Sequence, residues 1–364
     1  MDKRVFISRC DTYDACRIEE IVERSLDRLG LSDGFIKKGM RVLVKPNLLM
    51  ARMPGEVTTT HPAVMEAVCK IVVKRGAHAL IADSPAGSYT KQALEKVYRL
   101  SGMYEVAENS GATLNFDLSK GTRELKNVPG MKWVDTISPV LESDLIISVC
   151  KLKTHALQTY TGAVKNMFGS VPGVQKGGFH ARFLGEATFA RMTVGVCEAA
   201  APALSIMDAV VGMEGDGPSG GTPVDIGAIL VSKSPNTLDL AATHLVGIRP
   251  QWVKSIEVGM EMGLCPKDWK EIELLEETWD SFDLKPYKLP GTRRRDSCDE
   301  AQTDSKGSQK PMIVKGKCIG CGDCANICPA KIIDIIGGKA VIGPNGCIKC
   351  YCCHEVCPER AINI

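Results

Sequence analysis

Nine of the chain's 16 cysteines fall between Cys318 and Cys357, and their spacing is regular. Cys318-x2-Cys321-x2-Cys324-x3-Cys328-Pro329 recurs, shifted by 29 residues, as Cys347-x2-Cys350-x2-Cys353-x3-Cys357-Pro358. Three thiolates two residues apart can wrap a loop around an iron–sulfur cubane with their sulfurs pointing inward. The fourth, just before proline, lies where a short helix leaves the loop, and it reaches the cluster of the other half. Gly320 and Gly322 let the first loop approach closely and direct backbone N–H groups at sulfur. Zinc sites commonly pair CxxC units across longer gaps, and two copies at a fixed offset form a repeat rather than a disulfide framework. Cys352 is left over as a non-ligand. The other seven, Cys10, Cys16, Cys69, Cys150, Cys197, Cys265 and Cys298, are scattered and read as ordinary thiols.

A second concentration of chemistry lies from Lys151 to Gly185. It holds Lys151, Lys153, Lys165, Lys176, Arg182, His155 and His180, and no Asp or Glu. In a chain with 45 Lys+Arg against 43 Asp+Glu, such a cluster suits a carboxylate or phosphate held by charge-assisted hydrogen bonds. The competing reading is a solvated loop whose cations pair with acids from elsewhere in the fold. His155, His180 and Lys165 are the catalytic candidates, as proton donors. Lys45, Asn47, Lys151, Lys153, Asn166 and Arg182 are the candidates for substrate binding. Asp83, Asp208, Glu214 and Asp216 could hold a cation or a substrate amine or hydroxyl, or simply cap turns. His61 opens a helix, with Thr60 as its expected cap.

These residues need a scaffold, and the pattern supplies one. Residues 41–45, 79–83, 145–150, 204–208 and 226–231 read as strands. Residues 61–75, 91–100, 235–245 and 252–262 read as helices. The alternation predicts an α/β domain over residues 1–288, with a mostly parallel sheet flanked by helices. Ligands then bind at the carboxyl ends of the strands, where Lys45, Asp83, Lys151 and Asp208 fall. No G-x-G-x-x-G follows the first strand and no Walker motif occurs, which argues against a dinucleotide site or P-loop. Residues 289–311 are polar and charged and read as a linker or surface loop. A small α+β domain occupies residues 312–364.

Net charge of +2 gives no reason to expect nucleic acid or anionic lipid as a partner, and no apolar run is long enough to span a membrane. The N-terminus shows no secretory signal. Cluster thiolates suit a reducing compartment, so the expected location is cytoplasmic.

Two resemblances sharpen this reading. Residues 312–364 resemble the bacterial two-cluster ferredoxins. That implies two 4Fe-4S clusters, one on Cys318, Cys321, Cys324 and Cys357, the other on Cys347, Cys350, Cys353 and Cys328. VKPNLL, TTHP, Asp83-Ser84-Pro85, KLKTH…TGAVKNMFG and GMEGDGP, within residues 38–250, resemble the family called domain of unknown function 362, often joined to ferredoxin modules. In addition, His155 followed by TGAVKN is similar to the His…GG-x-K loop of lactate-racemase-type proteins, in which Lys carries a nickel-pincer cofactor; only His155 and Lys165 carry over. The leading expectation is an oxidoreductase that takes electrons from a redox partner protein and passes them singly to a small anionic substrate at the basic loop. The alternatives are a non-catalytic electron carrier or assembly module, and a non-redox isomerase of the racemase kind.

Overall fold

The computed structural model describes residues 1–283, 285–293 and 310–364. Cys298 and most of the expected linker, 294–309, lie outside the described residues. Among the described residues eleven strands precede the linker: β1 (Arg4–Arg9), β2 (Arg41–Lys45), β3 (His78–Ile81), β4 (Thr113–Leu114), β5 (Lys120–Glu124), β6 (Trp133–Ile137), β7 (Leu145–His155), β8 (Thr159–Thr161), β9 (Leu204–Glu214), β10 (Thr222–Ser232) and β11 (Glu273–Glu276). Nine of them form one sheet in the order β11-β1-β10-β9-β7-β2-β3-β4, with β8 paired to β7. Neighbours run parallel at β11–β1, β9–β7, β7–β2, β2–β3 and β3–β4. They run antiparallel at β1–β10, β10–β9 and β7–β8. The sheet is therefore mixed and mostly parallel.

Strand periodicity of two splits its side chains between two cores. Val42 and Val44 pack with Ile18, Ile21, Val64, Val68 and Leu94 from helices Ala15–Arg28, Pro62–Lys74 and Lys91–Leu100. Leu43, between those valines, packs instead with Ala190, Val194 and Cys197 of helix Glu186–Ala200. Helix Pro235–Leu245 covers the same second face further along, over Cys150, Leu152 and Met207. A sheet buried on both faces explains why its strands read as continuous apolar runs.

Helices 91–100 and 235–245 have the bounds expected of them, with Thr90 and Ser234 as N-caps and Pro235 at the first helical position. At helix Pro62–Lys74 the cap differs from expectation. His61 Nδ1 accepts the Ala63 N–H at 3.2 Å, while Thr60 Oγ1 donates to Val149 O at 2.8 Å. The larger departure is β7. It continues to His155, because Lys153–His155 pair with β8 and Lys153 also pairs with Met213 of β9. Lys151, Lys153 and His155 thus sit on one face of a rigid strand, not in a loop. Residues 289–293 pack rather than dangle: Thr292 Oγ1 donates to Ala156 O at 2.7 Å and Gly291 N to Asp216 Oδ1 at 2.6 Å.

The C-terminal part pairs β12 (Met312–Ile313) with β15 (Ile362–Asn363), and β13 (Ile333–Ile336) with β14 (Lys339–Ile342). Short helices Asp323–Ile327 and Cys352–Glu355 complete it. It docks on the large sheet's carboxyl end. Ser219 Oγ donates to Glu355 O at 2.9 Å, His354 Nε2 faces Asp216 O at 2.9 Å, and Arg52 donates to Cys357 O at 3.1 Å. Arg360 pairs with Glu56 at 3.3 Å. Among the described residues no helix is long and apolar enough to cross a membrane.

Candidate functional site

Each half of the cysteine repeat contributes to two cavities of about 340 Å³. Cys318, Cys321, Cys324 and Cys357 line the first; Cys328, Cys347, Cys350 and Cys353 line the second. The fourth cysteine of each half has crossed to the other half's cavity. All eight are free thiols, which sets disulfides aside. Among the described residues no three His, Cys, Asp or Glu side chains converge as they would on one metal ion. The sulfurs surround a space instead, and the walls are apolar, with Ile313, Ile335 and Ile362 around the first and Ile332, Ile333 and Ile342 around the second. Backbone N–H groups point at sulfur: Ala340 N to Cys318 Sγ at 3.3 Å and Ala361 N to Cys357 Sγ at 3.2 Å. Four cysteines around an apolar-walled space with N–H donors aimed at sulfur fit a 4Fe-4S cubane.

A third cavity, about 700 Å³ including its mouth, lies where the C-terminal part meets the large sheet. One wall carries Asn47, Lys153, His155, Lys165, Asn166, Lys176 and His180; the other carries Ile327, Cys352, Glu355 and Val356. Ile327 adjoins Cys328, and Cys352 lies between Cys350 and Cys353, so only one layer of residues separates this cleft from the second cysteine cavity.

His155 is fully buried. Its Nδ1 accepts N–H groups from Leu157 and Gln158 at 3.1 and 3.3 Å, which leaves the ring proton on Nε2. Nε2 lies 3.1 Å from Glu355 Oε1, but the N–H is not aligned on that oxygen, and neither atom has a hydrogen-bond partner. Burial, reinforced by Lys165, lowers the pKa of His155. Burial alone raises that of Glu355, yet His155 and Lys165 hold it well below the usual carboxylate range. His180 stacks on Phe189 at 4.1 Å, its Nδ1 buried without a partner, and burial brings its pKa down to about 3. His180 is therefore neutral at neutral pH.

The lysines differ in how they are used. Lys153 donates to Asn47 Oδ1 and Thr58 O, both at 2.7 Å, and burial with Lys151 and Lys165 nearby lowers its pKa to about 7. Lys176 is saturated by Ser84 O, Ser84 Oγ and Val171 O, and burial lowers its pKa to about 7 as well. Lys165 lies over the rings of Phe168 and Phe189, 5.2 and 5.7 Å from their centroids, and burial lowers its pKa. Among the described residues its ammonium has no hydrogen-bond or ion-pair partner. Asp239 places it: this buried carboxylate accepts Ala163 N and Val164 N at 2.6 and 3.0 Å, fixing the start of helix Ala163–Asn166.

Three other candidates are engaged elsewhere. Lys45 pairs with Asp83 at 2.7 Å, fully buried, and Gly169 packs so closely on that pair that a Cβ there has no room. Lys151 pairs with Asp208 at 2.8 Å and donates to Tyr13 Oη at 2.7 Å; Tyr13 donates to Asp208 and stacks on His61 at 3.5 Å. Arg182 leaves the cleft, donates to Gly130 O and lies over Phe183. Asn47 and Asn166 do line the cleft, joined at 3.4 Å. Of the four carboxylates considered for cations, Asp83, Asp208 and Glu214 are tied to lysines, and Asp216 accepts from Gly291. Cys150 is a buried thiol with a raised pKa. Sequence reasoning missed Glu355 and Asp239. Glu355 had one signal, an acid between two ligand-spaced cysteines in a segment whose counterpart, ANICP, has none.

Comparison with known proteins agrees with both parts. The family described as domain of unknown function (DUF362) matches residues 42–244, and a 4Fe-4S dicluster domain matches residues 310–358. The thylakoid-associated protein sll1697 of Synechocystis sp. is 31% identical over 274 residues, 73% of this chain and 81% of that protein. Ferredoxin-2 of Desulfomicrobium norvegicum is 47% identical over 30 residues, 8% of this chain and 51% of that one. The lactate racemase apoprotein from Thermoanaerobacterium thermosaccharolyticum superimposes with a TM-score of 0.42 at 16% identity, covering 66% of this chain and 56% of that chain. The chain belongs to the DUF362 family, and its C-terminal part is a 4Fe-4S ferredoxin-like domain.

Proposed function

We propose that this protein is a cytoplasmic oxidoreductase that delivers single electrons to a small anion bound in the cleft between its two parts, residues 1–288 and 312–364. Cys318, Cys321, Cys324 and Cys357 hold one 4Fe-4S cluster, and Cys347, Cys350, Cys353 and Cys328 hold a second. When bound, such clusters supply one-electron transfer at potentials set by charge, hydrogen bonds and exposure. Lys165 and the remaining N–H of Lys153 hold the anion. His155, with its ring proton on Nε2, offers the anion a hydrogen bond, and Glu355 keeps that ring in place. The apolar side chains of Phe168, Ile327 and Val356 exclude water around them.

The observation that carries this reading is the unpartnered Lys165 ammonium, in a cleft whose far wall is built from the neighbours of cysteine ligands. Its test is anaerobic. Cluster-loaded protein is reduced and mixed with a panel of small carboxylates and oxoanions, and visible absorption follows reoxidation. At least one anion accelerates reoxidation in the native chain but not in Lys165→Met; a panel with no effect refutes the proposal. One observation favours a second reading, an electron carrier docking a protein: Ile319 and Ile335, which line the first cysteine cavity, are 62% and 39% exposed. That reading predicts reoxidation by a partner protein only. Turnover without an electron donor points instead to the isomerase.

A further inference from the structure

The two cysteine sites come from repeats of one spacing, yet the charges placed against them differ. At the first site two cations reach the backbone carbonyls of lining cysteines. Lys339 Nζ, from the same C-terminal part, donates to Cys318 O. Arg52 Nη2, from the loop after β2, donates to Cys357 O at 3.1 Å. Among the described residues no lysine or arginine side chain donates to Cys328, Cys347, Cys350 or Cys353 of the second site; Lys310 and Lys331 donate instead to Pro344 O and Asn326 O. Arg52 is the cation borrowed across the docking surface. Its Nη1 pairs with Glu56 at 2.9 Å, and Glu56 also takes Arg360 at 3.3 Å. Two guanidinium groups thus share one carboxylate. The Arg52 side chain is 11% exposed and that of Glu56 31%, so water screens the acid more than the cation it faces.

A 4Fe-4S cluster gains one negative charge when it takes up an electron. A fixed cation beside it therefore stabilises the reduced form and raises its potential. A guanidinium does not lose its proton in a protein, so this charge is constant. We propose that Arg52 is a positioning residue of the large part that holds up the potential of the first cluster, acting through Cys357 O. Docking of residues 1–288 on residues 312–364 then sets a redox property of the smaller part. This rests on the first set of cysteines holding a cluster, as proposed above, and not on any anion in the cleft.

Anaerobic redox titration of the full-length, cluster-loaded chain tests it, with dithionite and mediator dyes setting the potential and electron paramagnetic resonance following each cluster. Cys321→Ser alters one ligand of the first set, and the reduction wave that changes in it belongs to the first site. Arg52→Gln keeps a hydrogen-bond donor and loses the charge. It should move the first wave to more negative potential and leave the second in place, and Arg52→Lys should restore it. Looser packing alone predicts the opposite sign, because water reaching the cluster also favours its more highly charged, reduced form. If Arg52→Gln loses its clusters, Glu56→Gln takes its place: removal of the shared acid should move the first wave to more positive potential. A first wave that stays put, one that moves against these signs, or an equal shift of both waves overturns the inference. Iron for one cluster per chain overturns it together with the two-cluster assignment. Reoxidation by anions is a separate measurement, and its failure leaves the role of Arg52 standing.

Discussion

Lys151, fully buried, and Lys165, partly buried, both place ammonium groups near the carboxyl end of β7, and they are treated in opposite ways. Lys151 sits in a closed network: Asp208 neutralises it, Tyr13 accepts from it, and Tyr13 in turn donates to Asp208. Lys165 sits in an open one, over two aromatic rings, with no hydrogen bond or ion pair of its own among the described residues. Burying a charge is costly, and a protein offsets that cost either with its own counter-charge or with a ligand's. The first solution is structural and the second is functional, although both begin as a lysine in the same acid-free stretch of sequence.

The sharpest way to break this comparison is to remove a partner from the closed network. Asp208→Ala strands the Lys151 charge, and denaturant unfolding should show a loss of about 3–5 kcal/mol. Lys165→Met should cost far less than that, because its ammonium makes no hydrogen bond or ion pair among the described residues and interacts with Glu355 only at longer range. If the two variants destabilise alike, the open and closed networks are not different in kind. The reverse holds for anions. Lys165→Met should weaken binding of an accepted carboxylate by roughly 10- to 100-fold, the loss expected for a hydrogen bond to a charged group. Asp208→Ala, refolded and checked by its cluster absorption, should weaken it far less.

Acidity sharpens the same contrast. Lys153 and Lys176 have pKa values of about 7 in the folded protein, against about 10.4 for an unfolded lysine. Between those values the unfolded chain binds more protons, so these groups make stability rise with pH from about 7 to 10 and contribute no slope below that. Anion binding needs Lys153 charged, so affinity falls as pH rises through about 7. Stability and affinity therefore move in opposite directions over one window, and unfolding and titration at pH 6, 7.5 and 9 check this. The smallest effect belongs to Arg182→Ala. It should alter neither affinity nor, beyond about 0.5 kcal/mol, stability, since that side chain lies outside the cleft.

What sequence reveals here follows the range of the interactions. The cysteine pattern is local chemistry, and so are helices 91–100 and 235–245, with caps adjacent to their apolar faces. The first strand, Arg4–Arg9, and the helix Ala15–Arg28 were within reach of the same methods: RVFISR alternates little, being buried on both faces, and Asp14 caps the helix. Pairing between distant segments was not legible. The acid-free stretch borrows Asp208 from β9 for Lys151 and Glu355 from the ferredoxin-like part for His155. Nothing near Lys151 or His155 in the chain announces either acid. The length of β7 was hidden for the same reason, since polar residues such as Lys153 and Thr154 continue a buried strand only where β8 and β9 flank it.

The cleft's two walls also limit how this molecule can be altered. Ile327, Cys352, Glu355 and Val356 belong to the electron-carrying module and at the same time shape the binding cavity. Exchanging that module for another of the same cofactor content is thus not a neutral change of wiring. It rebuilds half of the cavity, and so chimaeras made to alter redox potential should be read first as variants in ligand choice.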